Sequence, residues 1–227
     1  MASDILLEKL NRYEGCRYLG YGNNKPDENI MSIIDECENE ILENVKPRYV
    51  YKIFDITERN EGILINGTSL LLKGESIKEH LKGCQKIIAM CGTLSVDIDK
   101  IIKKAEINDM AKAVILDAFS AVAVEQLMDK VEDKIKNIFS DKYFTYRFGI
   151  GYGDLPIEQM PDFLNILNAG RLTGVTVSRG GMMTPLKSVA CVVGISDFPI
   201  KSKKKGCITC NMKDKCEYRI RGERCGF

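Results

Sequence analysis

The longest helical pattern in the sequence runs from Asp109 to Phe139, and its first half is dense in alanine, valine, isoleucine and leucine. A helix that is apolar on nearly every face has to be covered by other parts of the chain, so this pattern predicts a helix inside a large core. Two acids, Asp117 and Glu125, lie within or at the edge of the apolar half, near one face of the helix. Because an unpaired buried carboxylate is costly, we expect each to have a partner or to face a water-lined cavity.

The segments around this helix alternate between helical and strand patterns. Helices are predicted over Asp4–Tyr13 with Ser3 as the cap, Pro26 to about Val45, Ser95 to about Asn108 and Pro156 to about Leu167. Strands are predicted over 47–56, 62–67, 69–74, 86–92, 142–149, 174–178 and 187–196. The run at 86–92 is apolar almost throughout, which is typical of a central strand. The order of elements predicts an α+β fold, with one domain over residues 1–200 and a basic, cysteine-rich tail over 201–227.

The charge balance and the N-terminal sequence narrow the possible partners and compartments. A formal net charge of +1 provides no strong field, so neither nucleic acid nor a membrane is expected as a partner. The first ten residues, MASDILLEKL, carry acids and no uninterrupted hydrophobic stretch, so no signal peptide or membrane-spanning helix is predicted. The expected location is the cytoplasm.

The segment YRFGIGYGDLPIEQ, residues 146–159, combines an arginine with three closely spaced glycines. It lacks the third glycine of a dinucleotide-binding loop, where Asp154 stands, and it lacks the GK[ST] of a Walker loop. Two interpretations remain open from the residues alone. The glycines could form a sharp connection between a strand and a helix, or Arg147 could hold a ligand carboxylate over a loop that leaves room for the ligand.

Four of the nine cysteines are crowded into the polar C-terminal tail: Cys207, Cys210, Cys216 and Cys225. Short cysteine-rich segments of this kind fold around a metal, because metal binding supplies the stability that a core cannot. Four thiolates suit structural zinc, and the spacing also allows an iron-sulfur cluster. The alternative is a tail of reduced thiols without metal.

The arrangement RxxxGY, formed by Arg147, Gly151 and Tyr152, resembles the hallmark of the activation domain of cobalamin-dependent methionine synthase, the part that binds S-adenosylmethionine. The resemblance covers about residues 5–197 and extends to the N-terminal region of short, free-standing relatives. Further blocks that resemble this family are DAFSAVAVEQ, GYGDLPIEQ and MMTPLKSVACVVGIS. One segment departs from it, because Ser178, Arg179 and Gly180 stand where relatives usually have Thr, an acid and Ser.

This resemblance implies a C-shaped single domain with a twisted antiparallel sheet flanked by helices. It also implies a role in reactivation. When the synthase's cobalt is oxidised to cob(II)alamin, such a domain binds the cobalamin-binding domain. A reductant such as flavodoxin or ferredoxin then supplies an electron, and S-adenosylmethionine methylates the cobalt. The sequence shows no recognisable homocysteine, folate or cobalamin module, so the resemblance implies a reactivator supplied in trans.

The resemblance also assigns roles to single residues. Arg147 would hold the methionine carboxylate of S-adenosylmethionine, and the backbone of Gly149 would contact this ligand. Gly151 and Tyr152 would shape the wall nearest the corrin, with Tyr152 as the catalytic position. The sulfonium and ammonium groups need a negative surround, for which Glu125 and Asp117 are the available candidates. Asp117 has an alternative use in pairing with the partner domain.

Two other functions stay open at this stage. One is a reductive activator of a different corrinoid methyltransferase, in which an iron-sulfur cluster in the cysteine tail carries the electron. The other is an adaptor that recognises cobalamin domains without donating a methyl group. Binding of S-adenosylmethionine distinguishes the adaptor from a methyl donor.

Overall fold

The computed structural model describes residues 5–22, 24–200, 215 and 220. The helices are α1 Arg12–Tyr18, α2 Glu28–Asn44, α3 Glu75–His80, α4 Val96–Asn108, α5 Met110–Ile138, α6 Met160–Leu167 and α7 Ala169–Thr173. The strands are β1 Arg48–Arg59, β2 Gly62–Ile65, β3 Leu71–Lys73, β4 Lys86–Thr93, β5 Tyr143–Phe144, β6 Phe148–Gly149, β7 Thr176–Val177, β8 Met183–Thr184 and β9 Ser188–Ser196. No helix in the two long described ranges has both the length and the apolar character needed to cross a membrane.

One antiparallel sheet organises the described chain. Its strand order is β3-β2-β1-β4-β9-β5, and β6 also pairs with β9. β4 lies between β1 and β9 and is almost completely buried, which confirms the prediction of a central strand at 86–92. β7 and β8 form a separate two-stranded hairpin. The α+β class and the antiparallel sheet with flanking helices are therefore confirmed.

Two hydrophobic cores lie on opposite faces of this sheet. Successive residues of β4 alternate between them: Ile88 and Met90 belong to the core that includes α2, α4 and α5, whereas Ile87 and Ala89 belong to the core that includes α3, α6 and α7. This alternation follows from the period of two residues along a strand. The long helix α5 packs in the first core, as its apolar first half predicts.

Side-chain caps begin the two helices that were best defined by their sequence patterns. The side chain of Asp27 accepts a hydrogen bond from Ile30 N at the start of α2, and that of Asp109 accepts one from Lys112 N at the start of α5. The predicted boundary between two helices near Asn108 is confirmed, and the residue that caps α5 is Asp109. Aspartate at this position satisfies a backbone N–H that the helix itself leaves unpaired.

The prediction of a helix over Asp4–Tyr13 is wrong, because α1 begins only at Arg12. Side chains from other helices satisfy the backbone before it: Leu10 N donates to Glu38 Oε1 at 2.8 Å, and Asn11 N donates to Gln126 Oε1 at 2.9 Å. These tertiary hydrogen bonds replace the helical ones that the local pattern favours.

Candidate functional site

A one-residue bulge interrupts the edge of the sheet just before Arg147. Phe144 on β5 stands opposite Ile195 of β9, whereas Phe148 on β6 stands opposite Val192. One side of the ladder therefore contains one more residue than the other, which is the definition of a β-bulge. The continuous strand predicted over 142–149 is thus two short strands separated by Thr145–Arg147.

The bulge determines which face of the sheet receives Arg147. Phe148 and Val192 belong to the core of α3 and α6, so the preceding residue, Arg147, faces α5. In the register set by Phe144, Arg147 would stand opposite Val192 and face the other core. Thr145 fixes the bulge, because its backbone N donates to Gly194 O at 3.1 Å and its Oγ accepts from Gly194 N at 2.8 Å.

Arg147 forms ion pairs with three carboxylates of α5, here called the Arg147 cluster. Its Nη2 lies 2.8 Å from Glu125 Oε2, and its Nη1 lies 2.7 Å from Asp129 Oδ1 and 3.0 Å from Glu132 Oε2. Burial lowers the pKa of Arg147, but the charges of Asp129 and Glu125 raise it more, so the pKa lies above its ordinary value. The guanidinium therefore stays charged although its side chain is only 13% exposed.

The sequence interpretation included only one of these three acids, Glu125, and missed Asp129 and Glu132. Their spacing along α5, at four and then three residues, places all three on one face of the helix. This spacing is the feature of the sequence from which Asp129 and Glu132 could have been identified. Asp117 has a separate partner, because its Oδ1 lies 2.7 Å from Nζ of Lys187. Both acids of the apolar half are therefore paired, as expected.

Tyr152 covers the space that the missing side chain of Gly149 leaves open. A Cβ atom on Gly149 would lie 2.9 Å from Tyr152 Cε1, closer than a normal contact, and Tyr152 N donates to Gly149 O at 3.1 Å. The Tyr152 ring also packs edge-on against Phe148 at 5.9 Å between centroids. Burial raises the pKa of Tyr152, and the nearby charge of Glu125 raises it further. Tyr152 is thus part of the glycine loop, residues 149–153, and its ring covers Gly149.

Two contacts hold the glycine loop in place. Gly151 has a φ of 93° and lies close to Ile157, and Ile157 also lies close to Gly181 at the turn between β7 and β8. The β7–β8 hairpin, whose residues 178–180 differ from those of the resembled family, therefore lies beside the glycine loop. Asp154 Oδ2 accepts from Glu75 N at 2.7 Å, at the start of α3. Asp154, which occupies the place of the third glycine of a dinucleotide loop, therefore links the loop to the neighbouring helix.

A groove of about 480 Å³ lies between α1, α4 and α5. Its lining consists of Tyr18, Leu19, Ile102, Glu106, Met110, Ala113, Val114, Asp117, Ala118 and Ala121. The pKa of Tyr18 is raised by burial, which outweighs the opposing charge of Arg17, and further by Glu125. The structure brings Arg147 and Glu125 into direct contact, whereas Tyr18 and Asp117 line the groove and Asp117 pairs with Lys187.

The predicted metal ligands Cys207, Cys210, Cys216 and Cys225 lie outside the described residues. Within the described ranges, no group of three or more His, Cys, Asp and Glu side chains is arranged to hold a metal ion. The five described cysteines are free thiols: Cys16, Cys37, Cys84, Cys91 and Cys191. Burial raises the pKa of Cys84 to about 11 and that of Cys37 to about 12, so these thiols remain protonated.

The chain matches no protein-family model, and no curated protein matches it. It is similar to a solved structure described as the crystal structure of the MetH reactivation domain bound to AdoHcy. The two share 13% sequence identity with a TM-score of 0.64, over 94% of this chain and 82% of that chain. At 13% identity, the similarity of the two structures is evidence for a shared fold. The chain therefore has the fold of the MetH reactivation domain.

Proposed function

We propose that this protein binds S-adenosylmethionine and supports, in trans, the reductive methylation of cobalamin held by a cobalamin-dependent methionine synthase. The observation that carries the proposal is a buried, charged Arg147 beside a glycine loop, in the fold of a domain whose structure contains AdoHcy. AdoHcy is the molecule that remains when S-adenosylmethionine has lost its methyl group. A site that accommodates one is therefore chemically suited to the other.

The proposed reaction needs two inputs besides this protein. A one-electron donor such as flavodoxin or ferredoxin reduces cob(II)alamin on the partner to cob(I)alamin. The electron pair of cob(I)alamin then forms the cobalt–carbon bond with the methyl group. The carbon–sulfur bond breaks, and S-adenosylhomocysteine leaves with the electron pair of that broken bond on its sulfur. The role of the chain is to hold and orient the methyl donor and to exclude water from its methyl group.

Each site residue has a task in this proposal. Arg147 binds the methionine carboxylate through its planar pair of N–H groups. Glu125 receives the ammonium group and lowers the electrostatic energy of the sulfonium. The backbone of Gly149 contacts the ligand, and Gly151 with Tyr152 forms the wall nearest the corrin. These assignments are supported by the closeness of the residues to one another, because Tyr152 lies against Gly149 and the charge of Glu125 raises the pKa of Tyr152.

The groove supports the proposed contact with the cobalamin-binding domain. Met110 and Val114 in its lining are exposed apolar side chains, and exposed apolar patches mark interaction surfaces. Asp117 lies at the same place and keeps over half of its side chain accessible despite its pair with Lys187. A partner side chain can therefore reach this carboxylate.

Methylcobalamin formation tests the proposal directly. The protein is mixed with oxidised methionine synthase, a reductant and S-adenosylmethionine labelled in its methyl group, and the label on cobalamin is followed. We expect labelled methylcobalamin with the wild type and a large loss with Arg147→Ala. Arg59→Ala is the matched control, because Arg59 is an exposed arginine at the end of β1. Absence of S-adenosylmethionine binding by the wild type in calorimetry removes the methyl-donor function and leaves the adaptor.

For the tail over 201–227 we propose that Cys207, Cys210, Cys216 and Cys225 bind zinc or an iron-sulfur cluster. The support is the chemistry of four thiolates in a short polar segment. Metal analysis and visible spectra of anaerobically purified protein distinguish zinc from an iron-sulfur cluster. A protein that contains neither metal has only reduced thiols in the tail, and the electron must then come directly from an external donor.

A further inference from the structure

The Arg147 cluster contains more carboxylates than its arginine needs. Resting on the proposed function, we propose that Asp129 occupies the position of the ligand carboxylate on Arg147 until a ligand replaces it. The displaced Asp129 then joins Glu125 in binding the cationic groups of the same ligand. Asp129 is therefore a specificity-determining residue, which selects ligands that carry a carboxylate and a cation together, as S-adenosylmethionine does.

The exposure of the three acids shows which of them can be exchanged. The side chain of Glu132 is 11% exposed and is also bound by Lys136, so it is a permanent partner of the guanidinium. The side chains of Glu125 and Asp129 are 41% and 61% exposed. Water can solvate both carboxylates when they leave the arginine, whereas a displaced Glu132 would remain desolvated.

The geometry allows an exchange that keeps Arg147 compensated throughout. Asp129 is held on Nη1 and Glu125 on Nη2, so the two exchangeable acids occupy the two nitrogens that a bidentate carboxylate uses. An incoming carboxylate replaces these contacts with equivalent ones, and the charge-assisted hydrogen bonds are conserved. A guanidinium this deeply buried is never left without an anion, which avoids the penalty of an uncompensated buried charge.

The charge of the cluster favours a cationic ligand. Three carboxylates face two cationic side chains, Arg147 and Lys136, which leaves an excess of negative charge at the site. S-adenosylmethionine carries a carboxylate, an ammonium and a sulfonium, and so brings an excess of positive charge. Its carboxylate takes the arginine while its two cations face the carboxylates that have been released.

Asp129→Asn removes a competitor for Arg147 and a negative charge at the same time, so two ligands that differ only in the carboxylate are needed to separate the two effects. Calorimetry is carried out with S-adenosylmethionine and with decarboxylated S-adenosylmethionine, which keeps both cations and lacks the carboxylate. We expect the variant to bind S-adenosylmethionine about two- to fivefold more tightly, and the decarboxylated ligand more weakly by a similar factor. Asp133→Asn, at an exposed position of the same helix, is the matched control and changes both affinities little.

The outcomes distinguish this inference from the proposed function. If the wild type binds S-adenosylmethionine and Asp129→Asn weakens both ligands or changes neither, Asp129 does not compete with the ligand carboxylate and the inference is overturned alone. If only the variant binds S-adenosylmethionine, the inference stands in its strongest form. If neither protein binds it, the inference and the proposed function are both overturned.

Discussion

Replacement of Arg147 by methionine tests how the cluster contributes to the stability of the fold. Methionine keeps most of the apolar stem and removes the three ion pairs of 2.7 to 3.0 Å. Glu125 and Asp129 regain water, so the loss of each of these exposed pairs contributes only about 0 to 1 kcal/mol. Glu132 is nearly buried and loses a charged hydrogen bond worth about 1.5 to 3 kcal/mol, although it keeps Lys136.

The expected destabilisation is therefore about 2 to 3 kcal/mol, equivalent to a decrease in Tm of about 4 to 12 °C for a chain of this size. Urea unfolding of Arg147→Met gives the value. The double variant Arg147→Met/Glu132→Gln is expected to recover about half of the loss, because the amide needs no counter-ion. Lys86→Met, which removes an exposed pair with Asp55, is the control and costs under about 1 kcal/mol. A loss below about 0.5 kcal/mol in Arg147→Met, or no recovery in the double variant, contradicts this account of the cluster.

Three further predictions concern the glycine loop and the segment that precedes it. In Gly149→Ala the new Cβ would lie 2.9 Å from Tyr152 Cε1, so the ring has to withdraw by roughly half an ångström, and S-adenosylmethionine binding measured by calorimetry weakens while Tm changes by less than in Arg147→Met. Burial lowers the pKa of His80 to about 4, below its ordinary 6.5, so stability is complete above pH 6.5 and is lost as the pH falls toward 4. Urea unfolding should show a loss of about 2 kcal/mol between about pH 7 and pH 5 that His80→Gln removes, and an identical pH profile in this variant excludes His80 as the cause. Asp154→Ala removes the acceptor of Glu75 N and costs about 1 kcal/mol in urea unfolding, whereas Asp154→Asn, which keeps an acceptor, costs less; equal losses contradict the cap.

Much of the fold could be predicted because its elements are long and strongly patterned. The apolar run at 86–92 is a central strand, and the helical pattern from 109 onward is α5, with an aspartate cap at its start. In both cases the local propensity and the burial favour the same structure, so the sequence and the fold agree.

The N-terminal segment shows where such prediction fails. Residues 5–11 contain apolar residues at helical spacing, yet Leu10 and Asn11 donate their backbone N–H groups to side chains of α2 and α5. Those acceptors, Glu38 and Gln126, are distant in sequence. A local pattern carries no information about tertiary hydrogen bonds of this kind.

The candidate site was predicted in part for a related reason. Arg147 and Glu125 were identified from the sequence, and the structure places them in contact. Asp129 and Glu132 were missed because they lie in the charged half of α5, where acids are ordinarily solvated. Their inclusion depends on the orientation of Arg147, and that orientation depends on the bulge, which leaves no mark in the alternation of apolar residues.

The bulge makes the number of residues between Phe144 and Phe148 as important as their identity. At the present length, a ladder without the bulge would place Arg147 opposite Val192 and facing the core away from α5, whereas deletion of one residue would restore a regular ladder in which Arg147 still faces α5. Two sequences that share the motif but differ by one residue in this short interval would therefore display it on the same face only if the longer one contains the bulge. When such motifs are compared between distant chains, the spacing to the preceding strand has to be aligned together with the motif itself.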